Sequence, residues 1–341
     1  AYIRDFTNFF PQANFTYTYK SNHSLRFNYN GSNRQPTISQ LQPLANNNDY
    51  FTQYLGNPDL KPSFTNSFSV TNNGFNFLKE RWMYQSISFN LNSNAITNDR
   101  VINPVTGQTT IRPINTNGNY SINMWSSVGQ KLKKLKMQVF LDPNFNYSRF
   151  ADVINSKTSY SNNFTGGLRL GVNKTKDKKY DFNISNNLMY NSNKTSQSNE
   201  AISFITNDVS LSGTVYYKKV WSISTDYEYY YRQKTPQFSN SINNHLWNAR
   251  LQRTFKKNEY TAYFAVRDIL NQNIGITRNF YSNTLTEERN DRLKRFWMLG
   301  FTWDFKNKSA ATKTHARINS PPIVGVPCLV FWWRSGVSSR T

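Results

Sequence analysis

Apolar and polar residues alternate with a period of two through most of the chain. Tyr180, Phe182, Ile184, Asn186, Leu188 and Tyr190 fall on one side, and Asp181, Asn183, Ser185 and Asn187 fall on the other. The same pattern recurs over 83–91, 164–173 and 209–217. A period of two predicts β-strands with one apolar and one polar face, and helical spacing does not occur over comparable lengths. The chain is therefore predicted to be all-β.

Aromatic residues stand at both ends of the apolar stripes, as Tyr180 and Tyr190 do around Ile184 and Leu188. Tyr and Trp rings favour the headgroup level of a bilayer. A soluble β-sandwich also alternates, but it gives no reason to place aromatic rings at both ends. No apolar run reaches the roughly 18 residues of a membrane-spanning helix, whereas a barrel strand needs only about 10 alternating residues. The pattern predicts an antiparallel transmembrane β-barrel.

The amino-acid composition argues against a disordered chain, a metalloprotein and an enzyme. The 341 residues are 37% hydrophobic with a mean hydropathy of -0.70, which alone would suggest disorder, yet 16% are aromatic, and disordered chains lack aromatic residues. Cys328 is the single cysteine, and His23, His245 and His315 show no ligand spacing. We expect no metal and no other cofactor. There is no GxSxG segment and no histidine beside a nucleophile motif, so the chain is not expected to be an enzyme.

The formal charge of +22 raises the possibility of nucleic-acid binding. The basic residues fall in regularly spaced short turns instead of one reading module, so nucleic acid is not an expected partner. Lysines in such turns would instead meet anionic headgroups of the membrane.

Short basic turns alternate with long polar connections. The short turns are 131–134, 174–179, 218–219 and 256–258, and the long connections include 31–62, 98–116, 151–159, 233–243 and 271–291. Short turns on one side and long loops on the other are typical of outer-membrane barrels. The pattern predicts about 13–14 strands, from near Asn8 to Phe305. An odd count that begins with a descending strand predicts further strands upstream, because barrels made from one bacterial chain have even strand numbers.

The last predicted strand carries Trp297, Leu299, Phe301, Trp303 and Phe305 on one face. Outer-membrane barrels commonly end on such a strand with a terminal aromatic residue. We therefore assign residues 1–307 to the barrel. Beyond them the composition changes: Asn, frequent before 308, occurs once afterwards, and the single cysteine lies here. We interpret 308–341 as a non-native or disordered extension, and a periplasmic tail is the alternative.

One segment resembles a motif of a known family. The residues Gly56, Asn57, Pro58, Asp59, Leu60, Lys61 and Pro62 are similar to the GNPxLKPE motif of TonB-dependent receptor barrels, where it leads from a long extracellular loop into the next strand. Positions 25–44 and 266–273 are also similar to elements of that family. With the aromatic last strand, the resemblance covers about residues 8–307.

The resemblance implies that the chain is the C-terminal portion of a barrel of about 22 strands, whose plug domain and first strands this sequence lacks. It implies the cell outer membrane, with lipid around the barrel and a TonB complex reached through the N-terminal region. It further implies energised uptake of a siderophore, cobalamin or a glycan fragment, with a surface lipoprotein as another possible partner. The alternative function is a non-transporting barrel that acts as an adhesin or scaffold.

The sequence does not identify the residues that contact substrate. Arg169, Arg250 and Asp226 fall on the polar face, where they either contact solute or only solvate the wall. Tyrosines at a period of two over 227–231 are best explained by the interfacial girdle, and stacking of a ligand is the alternative. The polar segments 46–48 and 191–199 are candidates for first contact with a ligand.

Overall fold

The computed structural model describes residues 9–42, 45–46, 51–197, 200–256, 259–281, 284–304 and 329–332. These residues form twenty strands and one four-residue helix, so the all-β prediction is confirmed. The elements are β1 (Gln12–Lys20), β2 (His23–Arg34), α1 (Ile38–Leu41), β3 (Ala45–Asn46), β4 (Thr52–Leu55), β5 (Ser63–Asn76), β6 (Arg81–Ser93), β7 (Ala95–Ile102), β8 (Thr109–Thr116), β9 (Asn119–Leu132), β10 (Met137–Ile154), β11 (Lys157–Lys176), β12 (Tyr180–Thr195), β13 (Ile202–Tyr217), β14 (Trp221–Arg232), β15 (Ile242–Phe255), β16 (Tyr260–Arg267), β17 (Ile276–Tyr281), β18 (Thr284–Arg289), β19 (Phe296–Trp303) and β20 (Leu329–Trp332). The described part of the chain has no helix long and apolar enough to span a bilayer.

Thirteen of these strands follow one another in a single antiparallel sheet. Their order is β1, β2, β5, β6, β9 and then β10 through β16, followed by β19. This number agrees with the strand count predicted from the alternation. β20, inside the segment 308–341, pairs with β19; positions 308–328 and 333–341 of that segment lie outside the described residues. No pairing among the described residues joins β1 to β19 or β20, so the described sheet is open, and a closed barrel of about 22 strands stays a prediction.

One face of this sheet, here called the apolar face, is both apolar and exposed. Ile184 pairs with Val172 and Leu211 and is 52% exposed, and Leu188 pairs with Leu168 and is 50% exposed. Inside a water-soluble protein such side chains would pack against a second layer. A large exposed apolar surface indicates contact with a membrane or a partner, and the alternation continues it across all thirteen strands. The predicted stripe is therefore present, and no second sheet of the described residues covers it.

The opposite face, here called the polar face, is rich in Asn, Ser and Thr that hydrogen-bond between strands. Asn28 Nδ2 donates to Ser69 Oγ at 3.3 Å, and Asn90 Nδ2 donates to Ser121 Oγ at 3.3 Å. Amide and hydroxyl side chains in neighbouring strands satisfy one another at these distances. The result is a polar wall whose amide and hydroxyl side chains are linked across the strands.

Two glycines on the polar face make room for aromatic rings of the neighbouring strand. A Cβ at Gly129 would lie 2.0 Å from Trp82 Cζ2, and a Cβ at Gly171 would lie 2.0 Å from Phe140 Cζ. Only glycine permits so close an approach. The rings therefore lie against backbone at the short-turn end of β6, β9, β10 and β11.

The short connections lie at one end of the sheet. The hairpins β1–β2, β5–β6, β9–β10, β11–β12, β13–β14 and β15–β16 have turns of two to four residues. Asn22, Glu80, Lys136 and Lys178 adopt positive φ in them, as tight hairpin turns require. The predicted short basic turns are confirmed, although 131–132 and 174–176 still belong to strands, and 257–258 lie outside the described residues.

At the other end, four segments expected to be loops contain strands, so their interpretation as loops was wrong. The segment 31–62 contains the end of β2, α1, β3 and β4. Positions 98–116 lie largely in β7 and β8, and 271–291 contain β17 and β18. In 151–159, β10 and β11 run on and are joined only by Asn155 and Ser156, with φ of 50° and 57°. These hairpins extend past the end of the apolar face, so the alternation that marks the other strands is missing from them.

Candidate functional site

A row of aromatic rings crosses the apolar face near its long-loop end. Centroid distances are 4.8 Å for Tyr29–Phe68, 6.3 Å for Phe68–Phe89, 6.3 Å for Phe89–Tyr120 and 5.8 Å for Tyr120–Tyr147. The row continues on the next strands in Phe145, Phe164 and Tyr190. Rings at these distances attract one another, and Tyr combines an apolar body with a hydroxyl that prefers water. The row forms an interfacial girdle.

A second girdle lies at the short-turn end, next to the lysines. The rings of Tyr260 and Trp303 are 5.5 Å apart. Lys256 Nζ lies 5.3 Å from the Tyr260 ring, and Lys218 Nζ lies 5.2 Å from the Tyr217 ring. Such contacts keep the ammonium group at the water side of the ring. At this end of the sheet the aromatic rings therefore lie nearer the apolar band, and the lysine ammonium groups lie nearer the water.

The two girdles are separated by the thickness of an outer-membrane barrel. Tyr180 and Tyr190 mark the two ends of the stripe on β12. Ten steps of about 3.3 Å on a strand tilted by about 40° give a height of about 25 Å. This equals the apolar band expected of such barrels, and it places Ile184 near mid-depth.

The tyrosine-rich segment of β14 divides between the two faces. Tyr227 and Tyr229 lie on the apolar face, where Tyr227 Oη is 2.7 Å from His245 Nδ1 and the Tyr229 ring is 4.7 Å from the His245 ring. Tyr229 Oη also donates to Asn243 Oδ1 at 3.1 Å, whereas Tyr230 lies on the polar face. These positions agree with the girdle interpretation of the alternate tyrosines.

The charged candidates on the polar face are held by neighbouring wall residues. The Arg250 guanidinium lies 4.0 Å from the Tyr263 ring, and Asp226 accepts a hydrogen bond from Asn248 Nδ2 at 2.5 Å. Arg169 lies over an aromatic ring at 5.3 Å. The structure does not gather these three residues into one site, and the contacts favour a role in the wall itself.

The segment 56–62 acts as a clamp, and Asn57 is its centre. The Asn57 amide N–H donates to Gln40 O at 2.6 Å, and Nδ2 donates to Pro113 O at 2.9 Å. Its Oδ1 accepts hydrogen bonds from the Asp59 amide at 3.0 Å and from Arg112 Nη2 at 3.3 Å. The buried Asn57 side chain thus ties its own turn to β8, and the Asn57 backbone amide adds the bond to the α1 turn.

Other residues of the same segment complete the clamp. A Cβ at Gly56 would lie 1.8 Å from Gln42 O, so only glycine fits there, and Leu60 is fully buried. The Lys61 amide donates to Asn115 Oδ1 at 2.7 Å, and Lys61 O accepts from Asn115 Nδ2 at 2.9 Å. The segment fixes a platform made of α1, β3, β4, β7 and β8, which also pairs with β10 through β7.

A second clamp, which sequence reasoning missed, holds the β17–β18 hairpin. Arg278 Nε pairs with Glu287 Oε2 at 2.7 Å, Arg278 Nη1 donates to Asn240 O at 2.5 Å, and Arg232 donates to Arg278 O. The hydrogen bonds from Arg278 and Arg289 hold the pKa of the Glu287 carboxyl below its usual range. No motif or spacing in the sequence connects these residues.

The aromatic strand predicted to end the barrel is β19. Trp297, Leu299, Phe301 and Trp303 all lie on the apolar face, and Leu299 is 65% exposed. They continue the apolar band of β16, since Leu299 pairs with Phe264. Phe305, the predicted terminal aromatic residue, lies outside the described residues.

The sequence matches the profile described as the outer membrane protein beta-barrel family over residues 1–166 and 154–303. The chain belongs to this family. No curated protein and no solved structure matches it. Family membership places the protein in the outer membrane, as predicted, so the apolar face is the surface that meets lipid.

The orientation of the sheet in the outer membrane follows from its two kinds of connection. Short turns of such barrels face the periplasm and long loops face outward. The platform and the Arg278 clamp are therefore extracellular, and the lysine-rich hairpins are periplasmic. In the described ranges, no group of three or more His, Cys, Asp and Glu residues is placed to hold a metal ion.

Proposed function

We propose that this outer-membrane barrel protein is a TonB-dependent receptor that takes up a large or scarce nutrient, such as a siderophore, cobalamin or a glycan fragment. The observation that carries the proposal is the segment 56–62. It resembles a motif of these receptors, and its hydrogen bonds anchor an extracellular platform above the sheet. A receptor needs such a fixed outer surface to offer a constant shape to its ligand.

The polar face supports the same proposal. Its Asn, Ser and Thr side chains provide a hydrated wall along which a polar solute or a polar plug can lie. On this proposal a plug domain and further strands complete a barrel of about 22 strands, the TonB complex supplies energy through the N-terminal region, and a surface lipoprotein is a possible partner. The protein would bind and move its ligand without chemical change, and so it would not act as an enzyme.

Growth of a strain that lacks the gene tests the proposal. The strain is grown with a siderophore-bound iron source, with limiting cobalamin, or with a glycan as the carbon source. We expect a defect on one of the three, complemented by the gene, and the same defect when TonB is removed while the gene is intact. Uptake of the labelled nutrient is the direct measurement.

The alternative of an adhesin or scaffold gives a different outcome. Normal growth and uptake on all three sources, together with loss of surface attachment or envelope integrity, would contradict the receptor proposal. Normal growth on that source when TonB is removed and the gene is intact would also contradict it.

A further inference from the structure

Three neighbouring periplasmic hairpins carry a dense group of cations. They are β1–β2, β5–β6 and β9–β10, which are adjacent in the sheet. Their cations are Lys20, Lys79, Arg81, Lys131, Lys133, Lys134 and Lys136, against the single carboxylate of Glu80. This group is called the basic rim below.

Two adjoining concavities open on the basic rim. The larger is about 570 Å³ and is lined by Leu78, Lys79, Leu132, Lys133, Lys134 and Leu135, among others. The smaller is about 330 Å³ and is lined by Tyr19, Lys20, His23, Lys79 and Arg81, among others. Lys79 lines both, so the two form one continuous surface.

The single carboxylate of the rim is already neutralised. Glu80 Oε2 pairs with Lys131 Nζ at 2.6 Å, and Glu80 O accepts from the Lys131 amide at 3.1 Å, which joins two of the turns. Lys79, Lys133 and Lys134 are exposed, and no carboxylate within the described ranges lies within 4.0 Å of them. Three ammonium groups therefore face a shared space with their charge available to a ligand.

Apolar side chains stand beside these ammonium groups. Leu78 is 84% exposed and Leu135 is 56% exposed, both in turns next to the aromatic girdle. The two leucines line the same concavity as the lysines and give it an apolar patch beside its cations. They suit a ligand that has a phosphate next to a hydrocarbon chain, and the periplasmic leaflet of the membrane supplies such molecules at this depth.

We propose that the basic rim binds an anionic glycerophospholipid of the inner leaflet. The phosphate lies among Lys79, Lys133 and Lys134, and the glycerol and first acyl carbons contact Leu78 and Leu135. Coulomb attraction recognises the headgroup, and the apolar contact separates the lipid from a free anion. This inference is independent of any transported nutrient.

Native mass spectrometry of the full-length protein in neutral detergent tests the proposal, with phosphatidylglycerol as the probe and phosphatidylcholine as the neutral comparison. The test variant is Lys79→Gln/Lys133→Gln/Lys134→Gln. Its control is Lys178→Gln/Lys218→Gln/Lys219→Gln, which removes the same charge from the same periplasmic end. Each lysine near an anionic lipid contributes about fivefold in affinity, so we expect the test variant to bind phosphatidylglycerol at least about tenfold more weakly. The control should change by less than about twofold.

Additional arms separate the possible sources of the anion. Equal loss in both triple variants would overturn the proposal, because it would show diffuse attraction without a site. Displacement of the lipid by inorganic phosphate, or by polyglutamate as a stand-in for an acidic protein, would also overturn it. Leu78→Ser/Leu135→Ser leaves the lysines in place and should weaken the binding of phosphatidylglycerol. Unchanged binding in this variant would contradict the proposed contact between the acyl chain and the two leucines. The folded state of each variant is checked by the heat-dependent change in its electrophoretic mobility.

Discussion

A charge placed on the apolar face tests the assignment of the two faces most directly. Ile184 lies near mid-depth, is 52% exposed, and has Val172 and Leu211 as cross-strand neighbours. Ile184→Arg would place a guanidinium in hydrocarbon, which costs about 2–4 kcal/mol at the midplane of a barrel. Even about 2 kcal/mol lowers the ratio of folded to unfolded protein by about 30-fold.

Asn183→Arg is the matched control, since it adds the same group one residue away. Asn183 lies on the polar face between Asn173 and Ser212, where the new charge meets water and amides, so we expect a loss of at most about 1 kcal/mol. The free energy of unfolding is measured by guanidinium titration of the full-length protein in phosphatidylcholine vesicles, followed by tryptophan fluorescence. Equal losses in the two variants, or a larger loss for Asn183→Arg, would refute the assignment.

Three further changes test the clamps and the glycine contacts. Asn57→Ala removes the side-chain bonds to β8, so we expect the platform to lose about 1–3 kcal/mol and to be cleaved faster in limited proteolysis; an unchanged cleavage rate would contradict the clamp. Gly129→Val pushes a side chain into the Trp82 ring, so we expect a loss of about 1–3 kcal/mol in thermal unfolding, and an unaffected melting temperature would argue against the contact. Because the pKa of Glu287 is lowered, its carboxylate supports the β17–β18 hairpin fully above the usual glutamate range, and this support is lost as pH falls through the lowered value. Trypsin should therefore cut at Arg289 faster in Glu287→Gln than in the native protein at neutral pH. In the native protein, hydrogen exchange of the hairpin should rise only in acid.

The membrane-spanning strands could be predicted because hydrocarbon imposes the same rule on each of them. Most side chains on the lipid-facing side must be apolar, so the alternation over 180–190 predicted both the strand and its faces, and β12 spans Tyr180–Thr195; Asn186 on that side is satisfied by a hydrogen bond to Asn207. Tight turns between such strands carry Lys and Asn at positive φ, which the sequence shows as short basic segments. Thirteen strands followed from these two signals.

The extracellular part could not be predicted in the same way, because its contacts join distant positions. Asn57 bonds to Pro113, 56 residues away, and Arg232 bonds to Arg278, 46 residues away. The residues 56–62 could be recognised by resemblance, yet their role as a clamp depends on partners that no local spacing reveals. The continuation of β10 into β11 had one weak local signal, the Asn155–Ser156 pair, whose side chains suit a two-residue turn.

The membrane strands are predictable and the extracellular part is not, and the physical cause of this difference also explains where the protein is well packed. Leu60, Ala151 and Val153 are three of the five buried apolar side chains of the described residues, and all three lie at the extracellular end. Within the membrane, lipid covers the apolar face, so strands need only backbone hydrogen bonds and correct alternation. Above the membrane there is water on every side, so the platform must build its own core, which Asn57 locks, and the β17–β18 hairpin is held separately by Arg278. Substitutions at those two residues should therefore change the shape of the outer surface while leaving the sheet in the membrane intact, which makes the two clamps the positions at which the outer surface can be altered separately from the sheet.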